Sequence, residues 1–175
     1  MQDTKITNLL SQDWETAAPQ EIITATVKAL GTARVLLASS FGAEDVALIH
    51  MLVTAAPEKP RVFCLDTGRL HQETYDVIDR IRSKYDLPIE IYFPDTADVE
   101  AMVRERGMNL FYDSIENRKR CCGIRKVDPL KRALSSADAW ITGLRREQSV
   151  TRTQVPVMEI DTDHGGILKV NPLAG

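Results

Sequence analysis

The sequence predicts an α/β protein in which a parallel sheet is covered by helices on both faces. Short runs of apolar and β-branched residues alternate with segments whose apolar residues recur at helical spacing. The apolar runs are continuous, which is typical of strands buried on both faces of a parallel sheet. With 175 residues, 43% of them hydrophobic and 27% charged, the chain can form one domain with a substantial core.

The first half of the chain alternates three predicted strands with helices. Apolar residues at helical spacing predict a helix that Gly31 is well placed to end. Runs of apolar and β-branched residues predict the strands, and Thr96 is expected to cap the helix that closes near Gly107. The predicted strands are 34–38, 61–65 and 89–93, and the predicted helices are 19–30, one containing 48–55, one containing 77–85, and 96–107.

The second half of the chain holds one further helix and three strands. Asp128 and Pro129 open a short helix that runs through Leu134, since proline suits the first turn of a helix. The predicted strands are 139–142, 155–160 and 167–170. The last two are expected to form a hairpin across residues 163–166.

Three polar loops each follow a predicted strand, at 39–42, 65–68 and 143–146. Parallel strands bind ligands beyond their carboxyl ends, so these loops are expected to converge on one pocket. The first loop places hydroxyls and backbone N–H groups at a helix N-terminus, which suits a phosphate, although an ordinary capped turn is the better interpretation of this loop alone. Its spacing matches neither the P-loop nor the dinucleotide motif.

The third loop continues into a segment with three arginines, Arg145, Arg146 and Arg152. The planar guanidinium group suits bidentate binding of phosphate or sulfate. A solvated basic loop paired with Glu147 accounts for the same residues equally well.

Two adjacent cysteines, Cys121 and Cys122, stand among five cationic side chains. Adjacent cysteines are poor disulfide partners, while positive charge favours the thiolate that metals and iron–sulfur clusters bind. Such sites need about four ligands, and Cys64 lies in a predicted strand, where an inert core thiol is expected. The pair is therefore half of a predicted metal site, whose other half comes from another chain or from residues this chain lacks.

Composition excludes several classes of protein. The net charge of −3 argues against a broad nucleic-acid-binding surface. No apolar run approaches the ~20 residues of a membrane span, and the N-terminus lacks a basic region followed by an apolar one. We therefore expect a cytoplasmic protein without nucleic-acid or membrane partners.

Four segments in one order, 40–45, 65–75, 121–130 and 143–149, resemble the assimilatory adenylyl-sulfate and phosphoadenylyl-sulfate reductases. The resemblance runs from about residue 34 to the last residue. The cysteine pair is similar to that of the iron–sulfur branch, which uses adenosine 5′-phosphosulfate. The family's fold is the adenine-nucleotide α-hydrolase, or PP-loop, type.

The resemblance implies a role for each matching residue. Lys126 and Arg152 would be catalytic, stabilising the charge of the phosphosulfate. Cys121 and Cys122 would be ligands of a 4Fe–4S cluster in the complete protein. The residues expected to contact the substrate are Ser39, Ser40, Phe41, Gly42, Leu65, Asp66, Thr67, Gly143, Arg145 and Arg146.

The implied reaction is thiol-dependent reduction of adenosine 5′-phosphosulfate to sulfite and AMP in assimilatory sulfate reduction, with thioredoxin or glutaredoxin as donor. In the family a C-x-x-C pair and a nucleophilic cysteine follow the part matched here. We therefore expect residues 1–175 to be a single nucleotide-binding reductase domain that lacks the family's C-terminal segment and, alone, is inactive. Its cluster should be absent or incomplete, and residues 121–125 should then lack a fixed conformation.

Two alternatives stay open at this point. One is a reductase of the 3′-phosphorylated substrate. The other is a non-catalytic module that binds adenine nucleotides or an iron–sulfur cluster, in which two chains of a homo-oligomer each provide two cysteines.

Overall fold

A six-stranded sheet forms the centre of the computed structural model, which describes residues 2–56, 58–148 and 154–175. Its strands lie in the order β3-β2-β1-β4-β6-β5, and all neighbours are parallel except β5 and β6. The predicted sheet is thus confirmed, with the predicted hairpin adding one antiparallel edge strand. The strands are β1 (Val35–Ala38), β2 (Arg61–Leu65), β3 (Ile89–Tyr92), β4 (Ala139–Ile141), β5 (Met158–Asp161) and β6 (Ile167–Val170).

Strand β5 begins three residues later than predicted. Pro156 has no N–H to donate to a ladder, which explains why the run from residue 155 does not pair from its start. The residues before β5 are still tied to the sheet, because the N–H of Asn171 donates to the carbonyl of Val157 at 2.7 Å.

Seven α-helices surround the sheet in the described part of the chain: α1 (Gln2–Leu10), α2 (Pro19–Leu30), α3 (Ala43–Ala55), α4 (Gln72–Tyr85), α5 (Thr96–Arg106), α6 (Ile115–Cys122) and α7 (Asp128–Leu134). Gly31 ends α2 as predicted, with a φ of 89° and its N–H donating to Val27. The predicted cap of α5 is wrong by one residue. The Asp95 carboxylate, not Thr96, accepts the N–H groups of Ala97 and Asp98.

Apolar clusters cover both faces of the sheet. On one face Leu37, Val62 and Ile141 pack against α2, α3 and α4. On the other face Leu36 and Phe63 pack with residues from α7 and from β4. No helix among the described residues is long and apolar enough to cross a membrane.

Strand order reverses between β1 and β4. From β1 the chain moves outward through β2 to β3, and then crosses back to β4 on the opposite side of β1. Loops that leave neighbouring strands in opposite directions open a crevice at the carboxyl ends of those strands. The candidate site lies at this edge.

Candidate functional site

A cavity of about 590 Å³ lies at the carboxyl ends of β1, β2 and β4. The three polar loops predicted to converge do meet here. Its floor is apolar and its rim is polar and charged. The lining residues are Ala38, Ser39, Ser40, Glu44, Asp45, Phe63, Cys64, Leu65, Thr67, Arg69, Leu70, Lys126, Leu130, Trp140, Gly143 and Leu144.

The loop after β1 is held by its own side chains. The buried Ser39 hydroxyl accepts the N–H of Phe41 at 3.0 Å, and the Asp45 carboxylate accepts both the N–H and the hydroxyl of Ser40, at 2.6 and 2.7 Å. Phe41 has a φ of 62°, a strained conformation for a residue with a side chain. Its ring packs into the core, so Phe41 and Gly42 shape the loop while the two serines face the cavity.

The loop after β2 is organised by Asp66. This carboxylate is only 4% exposed, accepts the N–H of Gly68 at 2.8 Å, and accepts the Tyr75 hydroxyl at 2.8 Å. The hydrogen bond to Asp66 raises the pKa of Tyr75. Leu65 and Thr67 line the cavity, whereas Asp66 lies behind them.

The loop after β4 approaches α3 very closely. A Cβ at Gly143 would fall on the carboxylate of Asp45, so any other residue there would require that carboxylate to move. Arg145 pairs with Glu44 at 2.7 Å, and Arg146 pairs with Glu15 at 2.7 Å. Neither guanidinium lines the cavity. Arg152 lies outside the described residues.

The cysteine pair ends α6, which continues through a π-helical segment (Gly123–Val127) directly into α7. Lys126 and Leu130 point into the cavity from this helix. Cys121 is buried beside Met102 and Leu110, and Cys122 is half-buried.

Residues 121–125 are helical, so the expectation that they lack a fixed conformation is wrong. Packing of Cys121 holds one side of this segment. The buried Arg125 holds the other by donating to the carbonyl of Thr67 at 2.5 Å. Neither contact requires a metal. Among the described residues no group of three or more metal-binding side chains is assembled.

Charge is divided across the cavity. Arg69 and Lys126 lie on its cationic side, and Glu44 and Asp45 line the other side. Burial, together with the carboxylates of Asp66 and Asp45, raises the pKa of Cys64 to about 11. The Cys64 thiol is therefore held in its neutral form. It lies in the core as expected, but it also contributes to the lining of the cavity.

Sequence reasoning missed several lining residues, notably Arg69 and Trp140. Arg69 is fixed by donating to the Met108 carbonyl at 2.8 Å and to Asn109 at 3.0 Å, and its guanidinium lies 4.8 Å from the Phe111 ring centroid. Its position just after the second polar loop was a usable signal. Trp140 lies within a strand, where nothing in the sequence separates a cavity wall from ordinary core.

The protein-family model of the phosphoadenosine phosphosulfate reductase domain matches residues 34–175 of the sequence. The adenosine 5′-phosphosulfate reductase of Burkholderia cepacia is 46% identical over 162 residues, covering 91% of this chain and 64% of that protein. The enzyme of the same name from Rhizobium meliloti (strain 1021) is 46% identical over 145 residues, covering 81% of this chain and 52% of that protein. The chain thus spans about half to two thirds of the length of these curated relatives.

Solved structures share the fold at lower identity. Phosphoadenylyl-sulfate reductase from Candida auris superposes with a TM-score of 0.71 at 23% identity, covering 98% of this chain and 77% of that chain. An NH3-dependent NAD synthetase from Campylobacter jejuni gives a TM-score of 0.59 at 13% identity, covering 94% of this chain and 69% of that chain. The fold is therefore that of the adenine-nucleotide α-hydrolases, as predicted.

Proposed function

Because the chain belongs to the phosphoadenosine phosphosulfate reductase domain family, we propose that its cavity binds adenosine 5′-phosphosulfate. In the full-length protein this compound is reduced to sulfite and AMP by a thiol donor of the thioredoxin or glutaredoxin type. The observation that carries the proposal is the cavity at the reversal of strand order, lined by all three polar loops.

The shape and chemistry of the cavity support a sulfated nucleotide. Its volume of about 590 Å³ lies within the range of about 300–1,000 Å³ typical of small-molecule sites. The apolar floor, with Phe63, Leu65 and Trp140, suits a nucleobase. The hydroxyls of Ser39 and Ser40 and the ammonium group of Lys126 suit the phosphosulfate.

The proposed reaction is attack by a cysteine thiolate on the sulfur of the phosphosulfate. An S–S bond forms as the bond between sulfur and the bridging oxygen breaks, and that oxygen leaves on AMP with the electron pair. The donor thiolate then attacks the enzyme sulfur, sulfite leaves with the bonding pair, and a disulfide remains. We assign to Lys126 and Arg152 the stabilisation of the negative charge that develops on the phosphate, since a positioned cation lowers the barrier to the reaction.

The attacking thiolate is not Cys64 in this proposal, because a thiol with a pKa of about 11 is almost fully protonated at neutral pH. Cys121 is buried among apolar side chains, which does not favour attack on a bound substrate, and Cys122 beside it is assigned to a metal site below. We therefore propose that the nucleophile lies outside residues 1–175, in the additional length that the relatives possess.

Cys121 and Cys122 fit half of a four-thiolate site, because they provide two sulfur donors at the end of one helix. We propose that they hold a 4Fe–4S cluster together with two further cysteines of the full-length protein. Such a cluster would be bound on the same helical segment that presents Lys126 to the cavity. The relatives named adenosine 5′-phosphosulfate reductase support the 5′-phosphosulfate as substrate.

Calorimetric titration of the chain tests the proposal. Adenosine 5′-phosphosulfate should bind, and Lys126→Ala should weaken it by roughly 1.5–3 kcal/mol, the size of a charge-assisted hydrogen bond. Lys59→Ala, at the opposite end of the sheet, is the matched control and should change nothing. Tighter binding of the 3′-phosphorylated compound would favour the alternative substrate, and no binding of either would refute the assignment.

A further inference from the structure

The connector between α1 and α2 provides a carboxylate that holds the base of the loop after β4. Glu15 and Arg146, which are 131 residues apart, form a bidentate ion pair. Nη1 of the arginine donates to Oε2 of the glutamate at 2.7 Å, and Nη2 donates to Oε1 at 2.9 Å. This parallel geometry is the strongest that an arginine and a carboxylate can adopt. The hydrogen bond lowers the pKa of Glu15 and raises the pKa of Arg146, so both remain charged.

Arg146 also joins the two ends of the stretch that follows it. Its Nε donates to the carbonyl of Val155 at 2.8 Å. Arg146 precedes residues 147–154 and Val155 follows them, so one guanidinium connects both ends to the α1–α2 connector. All three nitrogens of the group are used in these contacts. The side chain is 29% exposed and does not line the cavity.

The connector is itself fixed, which is what makes Glu15 a useful anchor. The indole N–H of Trp14 donates to the Leu9 carbonyl at 2.8 Å, and the N–H of Glu15 donates to the Asp13 carboxylate at 3.0 Å. Trp14 and Ala17 pack against the main apolar core. The backbone that carries Glu15 is therefore held against the core, within reach of Arg146.

We propose that Glu15 and Arg146 form a brace that positions Gly143 and Leu144 against the bound nucleotide. Arg146 is then a positioning residue and does not contact the anion, in contrast to the role implied by the family resemblance. Glu15 lies upstream of residues 34–175, so an element outside the matched domain helps to shape the nucleotide site. The use of AMP as the probe rests on the proposed function.

A double-mutant cycle on AMP affinity tests the brace. Glu15→Gln and Arg146→Lys should each weaken AMP binding by about threefold to tenfold, and the double variant should be no weaker than the weaker single variant. The salt dependence of AMP binding should not change, because neither substitution removes a cation that contacts the phosphate of AMP. Glu105→Gln, which removes a comparable exposed pair with Arg120, is the control and should bind AMP normally.

The opposite pattern identifies direct contact. If Arg146→Lys weakens AMP binding while Glu15→Gln does not, or if the two losses multiply in the double variant, Arg146 binds the anion and the brace is wrong.

Hydrogen exchange in the nucleotide-free protein separates the brace from the proposed function. Glu15→Gln should accelerate exchange of amides in residues 143–148, and Glu105→Gln should not. Acceleration in a protein whose wild type fails to bind AMP supports the brace and refutes the nucleotide assignment. Unchanged exchange in a protein that binds AMP refutes the brace alone.

Discussion

The two sides of the cavity are built in different ways. One side, called the strand side here, is formed by the loops after β1, β2 and β4 and the start of α3. There Asp45, Ser40 and Gly143 are packed so closely that a Cβ at Gly143 would displace the Asp45 carboxylate. The other side, called the helix side here, is the helical segment 121–127 that carries Lys126. There an added Cβ at Gly123 would meet no atom within 4 Å apart from its own helix, and Cys122 is only half-buried. The polar groups of the strand side pair with one another, while on the helix side the proposed cluster finds only two of its four ligands among the described residues.

This difference teaches which part of the site depends on the rest of the protein. Groups that satisfy one another locally, as Asp66 does with Gly68 and Tyr75, form a binding surface from this chain alone. Within the described residues the cysteine pair has no comparable set of polar partners. On the proposed assignment, the remaining ligands of its cluster come from groups outside these residues.

The largest expected effect is on iron. In a full-length protein carrying these residues, Cys121→Ser or Cys122→Ser should abolish the bound iron, because each removes one of four thiolates. Cys64→Ser should retain it, since that thiol lies on the strand side. Iron assayed per chain, with the visible absorbance of the cluster, measures both. Full iron in both helix-side variants would contradict the assignment of ligands.

One glycine from each side sharpens the comparison. Gly143→Ala should destabilise the protein by about 1–3 kcal/mol, the usual cost of overpacking, and should weaken AMP binding because Asp45 and the loop must separate. Gly123→Ala adds a methyl group in open space at a φ of −53° and should be neutral or slightly stabilising. Denaturant unfolding and AMP titration compare the pair. Equal effects would show that the two sides do not differ in packing.

An effect smaller than the loss of iron is the pH dependence of stability that arises from Cys64. Its pKa is raised from 9.0 to about 11 in the folded state, so the unfolded chain loses the proton first. The stability gained from the neutral thiol is complete below pH 9 and is lost as the pH rises through 11. Between pH 8 and pH 11 the wild type should lose about 2 kcal/mol more than Cys64→Ala.

Denaturant unfolding of both proteins at the two pH values makes that comparison. Parallel losses in the wild type and in Cys64→Ala would mean that burial does not hold the thiol neutral.

Local signals in the sequence account for what could be predicted. Buried β-branched runs located all six strands, and the polar residues after three of them located the cavity. Two helices, α1 and α6, were missed: α6 contains only Ile115 besides its cysteines, and the apolar residues of α1 are confined to its second half. Contacts between distant residues left no signal, and the pairing of Glu15 with Arg146 is the clearest case. Adjacent polar side chains such as Asp95 and Thr96 compete for one cap, and the sequence alone does not decide between them.

The π-helical turn at residues 123–127 determines how far α6 is rotated about its own axis relative to α7. Each residue of an α-helix turns the side-chain direction by about 100°, so the one additional residue of a π turn changes that rotation by about the same angle. Ala133 and Leu134 fix α7 against the sheet, so it is α6 whose side chains are rotated. The direction in which the two thiols leave their helix is thus decided by the number of residues between them and the sheet.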